Sequence, residues 1–444
     1  MKELIINLIQ EKKLNDVRSM VKDWNVVDIA ELLEEVDRNH AIILFRLLPK
    51  DRAVEVFAYL SNEQQLAIID GITDREIKHI MDELYFDDMI DFLEEMPASI
   101  VKKILKSAKE EERILINQFL NYPENSAGSL MTIEYVGLKK EMTLKEALAD
   151  IKRIALDKET VYTCYVTDAN RKLEGIISLR KLVTNDETKT VEEMMSTDVI
   201  YVHTHDDQET IAHLFKKYDL MAIPVVDKED RLTGIITIDD IMDVIEKENT
   251  EDFHKMAAME PFEEEYLETS VLSLAKHRIT WLLVLMISAT FTGNIIRRFE
   301  DVLASVVVLA AYIPMLMDTG GNAGSQSSTL VIRGMALGDI QLGDSLKVLW
   351  KELRVSTLVG VALAAVNFLR IYYIDKVGFE VSITVCVTLF VTVILAKLVG
   401  GTLPIAARKL KLDPAIMASP LITTIVDAVA LIVFFSMAAW ILGI

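Results

Sequence analysis

The sequence predicts a multidomain membrane protein: an all-α superhelical N domain, a duplicated α/β module, a connecting helix, and an α-helical transmembrane domain with five spans. Three observations carry this reading. From about Ile279 the chain turns into uncharged apolar runs, residues 130 to 245 contain a gapless internal repeat, and residues 1 to 129 read as short amphipathic helices in series. The boundaries that follow are 1–129 for the helical domain, 130–189 and 190–246 for the two modules, 247–275 for the connecting helix and 276–444 for the membrane domain.

Charge locates the main division. Residues 279 to 444 carry 12 Lys and Arg against 10 Asp and Glu, a net of +2, so the total of −21 leaves −23 for residues 1 to 278. So acidic a surface repels nucleic acid and anionic headgroups and gathers cations. Nucleic-acid binding is therefore excluded, and no obligatory protein partner is implied. Cys164 and Cys386 lie on different elements, which gives neither a disulfide framework nor a metal-ligand spacing. The run Met1 to Gln10 is broken by Lys2, Glu3 and Asn7 and is followed by no cleavage-site pattern, so it is not read as a signal peptide.

In the helical domain, Asp28–Val36 (DIAELLEEV) is echoed by Asp88–Met96 (DMIDFLEEM), with breakers at Pro49, Gly71, Pro97 and Pro123, as stacked helical repeats require. The stronger repeat aligns Val166–Leu182 with Val225–Ile241. Each copy is an apolar strand, an acidic turn, a second strand ending in Gly-Ile-Ile, and a helix start at Ser178 or Thr237. This pattern resembles a CBS-domain pair, a regulatory module often responsive to adenosine nucleotides. The ribose-binding pattern of that superfamily is present as Thr237 and Asp240 but absent from the first copy, where Lys181 replaces the acid. Two readings stay open: a site for a nucleotide such as ATP, or Thr237 capping a helix whose first turn holds Asp240. The connecting helix, about Asp240 to Met259, carries Asp240, Asp243, Glu248, Glu251 and Asp252 on one broad face.

Apolar runs at Ile279–Ile296, Val302–Met317, Val355–Ile374, Val381–Ala396 and Pro414–Ile444 give the five spans. In that arrangement Lys276, Arg278, Arg333, Lys347, Lys351, Arg354, Arg408, Lys409 and Lys411 share one side, against Arg297, Arg298, Arg370 and Lys376 on the other. The first side is cytoplasmic by the positive-inside rule, so the N-terminus is cytoplasmic and the C-terminus outside. Asp427 is the only charged residue in the last 31, Pro414 to Ile444. A carboxylate there costs about 2.5–3.5 kcal/mol to insert, so it faces a polar interior or a partner. Two copies of the chain meeting around an axis bring two such charges together, enough to balance one divalent cation; hydrogen bonds from Thr423 or Thr424 are the plainer alternative. The run Pro314–Gln326, with Pro314, Gly320, Gly321 and Gly324 beside Asn322 and Gln326, is expected to free backbone carbonyls at membrane depth and line an ion path. Close helix packing is the competing reading of its glycines.

Pro314–Gln326, Asp413-Pro-Ala415 and Thr423-Thr-Ile-Val-Asp427 together resemble the MgtE-type magnesium channels, as do the domain order and the segment Tyr122–Gly128. The resemblance spans essentially the whole chain; Asp318, where a small uncharged residue is expected, departs from it. It implies a homodimer in the bacterial inner membrane that conducts Mg2+ into the cytosol, with Asp427 as the pore carboxylate and Pro314, Gly320, Gly321, Asn322, Gln326, Thr423 and Thr424 lining the pore. It also implies regulatory Mg2+ bound by Glu55, Asp87, Asp91, Glu209, Asp219, Asp240, Asp243, Glu248, Glu251, Asp252 and Asp413. The alternative function is an ion-coupled carrier for another divalent metal such as Mn2+ or Co2+. An enzyme is disfavoured, because no Walker loop, nucleophile elbow, kinase motif set or zinc motif occurs.

Overall fold

The computed structural model describes residues 2–262, 266–267, 269–417 and 419–443. It divides into two compact units, Met1–Ile245 and Glu246–Ile444. The first unit opens with ten short helices: α1 Lys2–Gln10, α2 Leu14–Val21, α3 Val26–Glu35, α4 Arg38–Leu47, α5 Lys50–Ala58, α6 Asn62–Gly71, α7 Asp74–Glu83, α8 Phe86–Glu95, α9 Ala98–Ser107 and α10 Glu110–Phe119. Side chains of Asn25, Asp37, Ser61 and Thr73 accept hydrogen bonds from the first-turn amides of α3, α4, α6 and α7, and Pro49 and Pro97 open α5 and α9. The sequence echo is an echo of burial. Ile29, Ala30, Leu32, Leu33 and Val36 are buried in and just after α3, and Met89, Ile90, Phe92, Leu93 and Met96 hold the same places in and after α8.

The duplicated module follows through α11 (Ala127–Leu130), β1 (Val136–Leu138), α12 (Leu144–Ile154), β2 (Thr163–Thr167), β3 (Leu173–Ser178) and α13 (Leu179–Thr184). The second copy has α14 (Val191–Met194), β4 (Val202–His203), α15 (Gln208–Tyr218), β5 (Ala222–Val226), β6 (Leu232–Thr237) and α16 (Ile238–Met256). Each copy is a three-stranded sheet in which the first strand runs parallel to the second and the second antiparallel to the third. The copies interlock through the repeated Gly-Ile-Ile. Ile235 exchanges two backbone hydrogen bonds with Thr132, at 2.8 and 2.9 Å, and Ile176 does the same with Ser196 at 2.9 and 2.8 Å. The glycine before each is what lets the partner strand approach: a Cβ at Gly234 would lie 2.6 Å from the Thr132 carbonyl oxygen, and one at Gly175 2.8 Å from that of Ser196.

The second unit holds the apolar helices α17 (Val271–Arg298), α18 (Glu300–Ser305), α19 (Ile313–Ala336), α20 (Ser345–Leu369), α21 (Phe379–Lys409) and α22 (Ser419–Leu442). Four segments among the described residues, Val271–Arg298, Leu342–Ile374, Phe379–Lys409 and Pro414–Leu442, are long and apolar enough to cross a membrane. The second span differs from expectation. Val302–Met317 is not one helix: α18 and a 3-10 turn at Val307–Tyr312 occupy its first part, and α19 then runs unbroken through the glycine-rich segment. Pro314 lies in the first turn of α19, where a missing N–H is harmless, so it starts the helix and does not interrupt it. Residues 263–265 and 268 of the connecting segment expected at 247–275, and Ala418 and Ile444 of the last predicted span, lie outside the described residues.

Gly234→Ala therefore tests the interlock of the modules. A methyl forced against the Thr132 carbonyl should cost about 1–3 kcal/mol, read as a lower Tm of the first unit; an unchanged Tm would show that the strands part without penalty.

Candidate functional site

Carboxylates gather at one place in the first unit and at two in the second, one of them among its apolar helices. In the first unit, Asp87 and Asp88 open α8, Asp239 and Asp240 open α16, and Glu134 and Glu159 come from loops of the first module. Asp87 is 9 % exposed, and its Oδ1 is buried without a hydrogen-bond partner. Burial, then repulsion from Asp240, Asp88 and Glu159, holds the Asp87 carboxyl well above the usual carboxylate range. Burial with Asp239 and Glu134 pushes Asp88 up to about 6. Burial with Asp239, Asp240, Asp88 and Glu134 pushes Glu159 up to about 7. Burial raises Asp240 to about 6, against an opposing hydrogen bond from Thr237 and with added repulsion from Asp239 and Asp88. The Thr237 hydroxyl donates to Asp240 Oδ2 at 2.7 Å and the Thr237 N–H to the same oxygen at 3.4 Å, so the Asp240 carboxylate reaches back over the start of α16.

The second place lies within the second unit. Lys255, in the last turn of α16, donates from Nζ to Asp413 Oδ2 at 2.6 Å and also bonds Glu251 Oε1. Burial alone would lower the ammonium's pKa, but hydrogen bonds to Asp413 and Glu251 raise it. Burial first, then repulsion from Asp413, pushes the neighbouring Asp252 carboxyl up to about 6, with Glu248 and Glu251 adding to it and Lys255 opposing. Asp413 in turn accepts the Ala415 N–H at 2.8 Å, which fixes the turn leading into α22.

The other residues expected as ligands are placed as follows in the fold. Glu55 on α5 and Asp91 on α8 are exposed, and Asp243 is exposed one turn beyond Asp240. Glu209 lies in the first turn of α15, whereas Asp219 is its left-handed C-cap at φ 50°, so the two sit at opposite ends of one helix. Among the described residues, no three His, Cys, Asp or Glu side chains are grouped so as to hold a metal ion. The ligand sets implied by the resemblance are thus not brought to a point among the described residues. Like charges drawn out of water hold one another apart, and Lys255 already engages Glu251 and Asp413.

In the apolar unit the glycines of α19 bring helices together. A Cβ at Gly320 would lie 2.8 Å from Thr392 Cγ2, one at Gly321 3.0 Å from Thr423 Cγ2, and one at Gly324 2.8 Å from Ile422 Cγ2. Gly400 of α21 crosses the α19 backbone, with only 2.1 Å from its would-be Cβ to the Gly324 carbonyl oxygen. Close packing is therefore the work of these glycines, and the expected free carbonyls give way to a regular helix. Gly320 and Gly321 are buried within the chain and Pro314 is exposed at the helix start. Apart from Pro314 and Leu330, what α19 leaves outside is polar. Asp318, Asn322, Gln326, Thr329 and Arg333 are exposed and, at about 100° per residue, fall within about 80° of its circumference. That stripe explains why α19 is not among the segments apolar enough to count as spans. Asp427 lies half-buried on the facing helix α22, on the same side as Thr423 and Thr424, whose hydroxyls donate to the Pro420 carbonyl at 2.9 and 3.0 Å. The two threonine hydroxyls are thus turned to the backbone and not to the Asp427 carboxylate.

Sequence reasoning missed Lys255, Asp88, Glu134, Glu159 and Asp239. Lys255 had a local signal, a Lys four residues after Glu251 on an acidic helix; the others meet only through folding.

The raised carboxyls give a pH dependence with a definite sign. Between about pH 4 and pH 7 the folded first unit holds protons that the unfolded chain has released, so stability falls as pH rises through that window. Glu159→Gln should raise the Tm of the first unit at pH 7.5 and leave it nearly unchanged at pH 4.5; equal shifts at both would contradict the linkage. Lys255→Met should destabilise the second unit by about 1–2 kcal/mol at pH 7.5. Lowering the pH below 6 should recover part of that loss as Asp252 takes up a proton; an unchanged Tm would remove Lys255 from this account.

The comparisons now have a geometry to rest on. Residues 313–437 match the family model described as MgtE, divalent cation transporter, residues 24–125 match the MgtE intracellular N domain, and 127–186 and 191–247 match the CBS domain. The chain is 37% identical to the magnesium transporter MgtE of Thermus thermophilus over 97% of its own length and 96% of that protein. It is 32% identical to the magnesium transporter MgtE of Bacillus subtilis over 98% and 96%. Among solved structures, the cytosolic domain of the Mg2+ channel MgtE in complex with ATP covers 55% of this chain at a TM-score of 0.53 and 34% identity, and all of that domain is matched. The soluble part of a magnesium transporter covers 56% at a TM-score of 0.52 and 30% identity, with 97% of that chain matched. With identity at this level along nearly its full length, the chain belongs to the MgtE family of divalent cation transporters.

Proposed function

We propose that this protein is a Mg2+ uptake channel of the bacterial inner membrane, a homodimer with its N-terminus cytoplasmic and its C-terminus outside. The single observation that carries the reading is the membrane-unit face made by Asp427 with the α19 stripe of Asn322, Gln326 and Thr329. Carboxylate, amide and hydroxyl groups in a row are costly against acyl chains, and a water-filled path between two copies relieves that cost. Two Asp427 carboxylates balance one divalent ion. Mg2+ sheds water reluctantly, so oxygen groups spaced to hold its hydration shell suit it better than a dry cage. Oxygen-only ligands also weigh against Co2+, which leaves a carrier for Mn2+ as the remaining alternative.

Gating follows from the acidic clusters. Mg2+ bound among Asp87, Asp240 and their neighbours, or at Glu251, Asp252 and Asp413 in exchange for Lys255, offsets the repulsion that raises the Asp87, Asp240 and Asp252 carboxyls. A cation that binds the compact cytosolic arrangement more tightly than the spread one shifts the channel toward closure, so the protein limits its own uptake as internal Mg2+ rises. ATP is proposed as a second ligand of the module pair, since a 34%-identical cytosolic domain has been solved with it. Its ribose would have to displace the hydrogen bond between Thr237 and Asp240.

The test is Mg2+ flux into liposomes carrying the full chain. Asp427→Asn should reduce flux by at least about tenfold, since an ion losing both pore charges loses several kcal/mol of stabilisation. Flux at the parent rate would end the pore reading. Mn2+ flux coupled to a proton gradient, with no single-channel current, would favour the carrier.

A further inference from the structure

We propose that Asp318 is a second pore carboxylate, which together with Asp427 sets the preference for doubly charged over singly charged cations. The inference rests on the channel reading above and adds to it a residue at which this chain departs from the expected pattern. Asp318 begins the exposed stripe of α19, one turn before Asn322 and two before Gln326, and the Asn322 amide donates to its Oδ1 at 3.1 Å. The hydrogen bond holds the carboxylate along the polar face and away from the packed glycine face.

Helix packing places it beside Asp427. The contacts of Gly320 with Val426, Gly321 with Thr423 and Gly324 with Ile422 show α19 and α22 running antiparallel, so the turn before Gly320 meets the turn after Val426. That register brings Asp318 and Asp427 to neighbouring turns of the two helices. Two neighbouring helices thus present an acid at one level, and neither acid is matched by a Lys or Arg within hydrogen-bonding distance among the described residues. Lipid is excluded as the neighbour of an exposed carboxylate on such a helix. In a two-fold assembly the path would then carry four carboxylates, two from Asp427 and two from Asp318.

The physical consequence is selectivity. Coulomb attraction scales with the ion's charge, so removing one negative ring that weakens the hold on Na+ about threefold weakens the hold on Mg2+ about tenfold. The Mg2+ to Na+ permeability ratio therefore falls when Asp318 is neutralised, whereas a purely structural role would change both ions alike.

The experiment is bilayer recording of the full-length protein with Mg2+ and Na+, comparing parent, Asp318→Asn, Asp318→Glu and Asp427→Asn. Asp318→Asn should lower the Mg2+ to Na+ permeability ratio at least about threefold and raise the Mg2+ concentration of half-maximal current about tenfold, and Asp318→Glu should restore both. A parent-like ratio in Asp318→Asn, alongside loss of Mg2+ current in Asp427→Asn, overturns the role of Asp318 and leaves the channel reading standing. Loss of both currents in Asp318→Asn that Asp318→Glu does not restore shows a structural role and also overturns it. Parent-like currents in Asp427→Asn overturn the channel reading itself.

Discussion

Negative charge withdrawn from water without a full complement of cations is the constraint on which the rest of this structure depends. Asp87, Asp88, Glu159 and Asp240 are held in partly buried positions where each raises the cost of ionising the next. Asp252 is held in the same way, by burial and by repulsion from Asp413, beside Lys255. A fold that tolerates such clusters gives up stability at neutral pH that a bound divalent cation can return, and that difference is what a cation sensor needs. The apolar unit states the problem again at membrane depth, where Asp427 and the α19 stripe require a polar neighbour.

Each unit solves its backbone problem with glycine. Gly175 and Gly234 let strands of one module reach the segment before the other, and Gly324 and Gly400 let α19 and α21 cross at backbone distance. Without the second crossing, α19 could not pack its small face against α21 and α22 while turning Asp318, Asn322 and Gln326 outward. The close packing of the apolar unit thus rests on residues with no side chain, and its polar stripe on the residues between them.

Much of this was legible in the sequence because it is local or repeated. The echo between Asp28–Val36 and Asp88–Met96, the Gly-Ile-Ile duplication and the isolation of Asp427 each identify an element without knowledge of its neighbours. The glycine-rich segment was misread for a physical reason: Pro314 and three glycines weaken an isolated helix, and only the partners on α21 and α22 make a continuous helix the better solution. Lys255 with Asp413 is separated by 158 residues, and Glu159 reaches Asp240 only through the module fold. Pairings of that kind carry no periodicity to read.

The central claim is that the Asp427 carboxylates face water and attract a hydrated divalent ion. Anomalous scattering from crystals of the full-length protein soaked in Mn2+ tests it most directly, because Mn2+ shares the hard-oxygen preference of Mg2+ and is visible by its absorption edge. A peak on the assembly axis, within water-mediated reach of Asp427 and Asp318, is the predicted result. Acyl-chain density against Asp427, with Mn2+ peaks confined to the soluble clusters, would contradict the account.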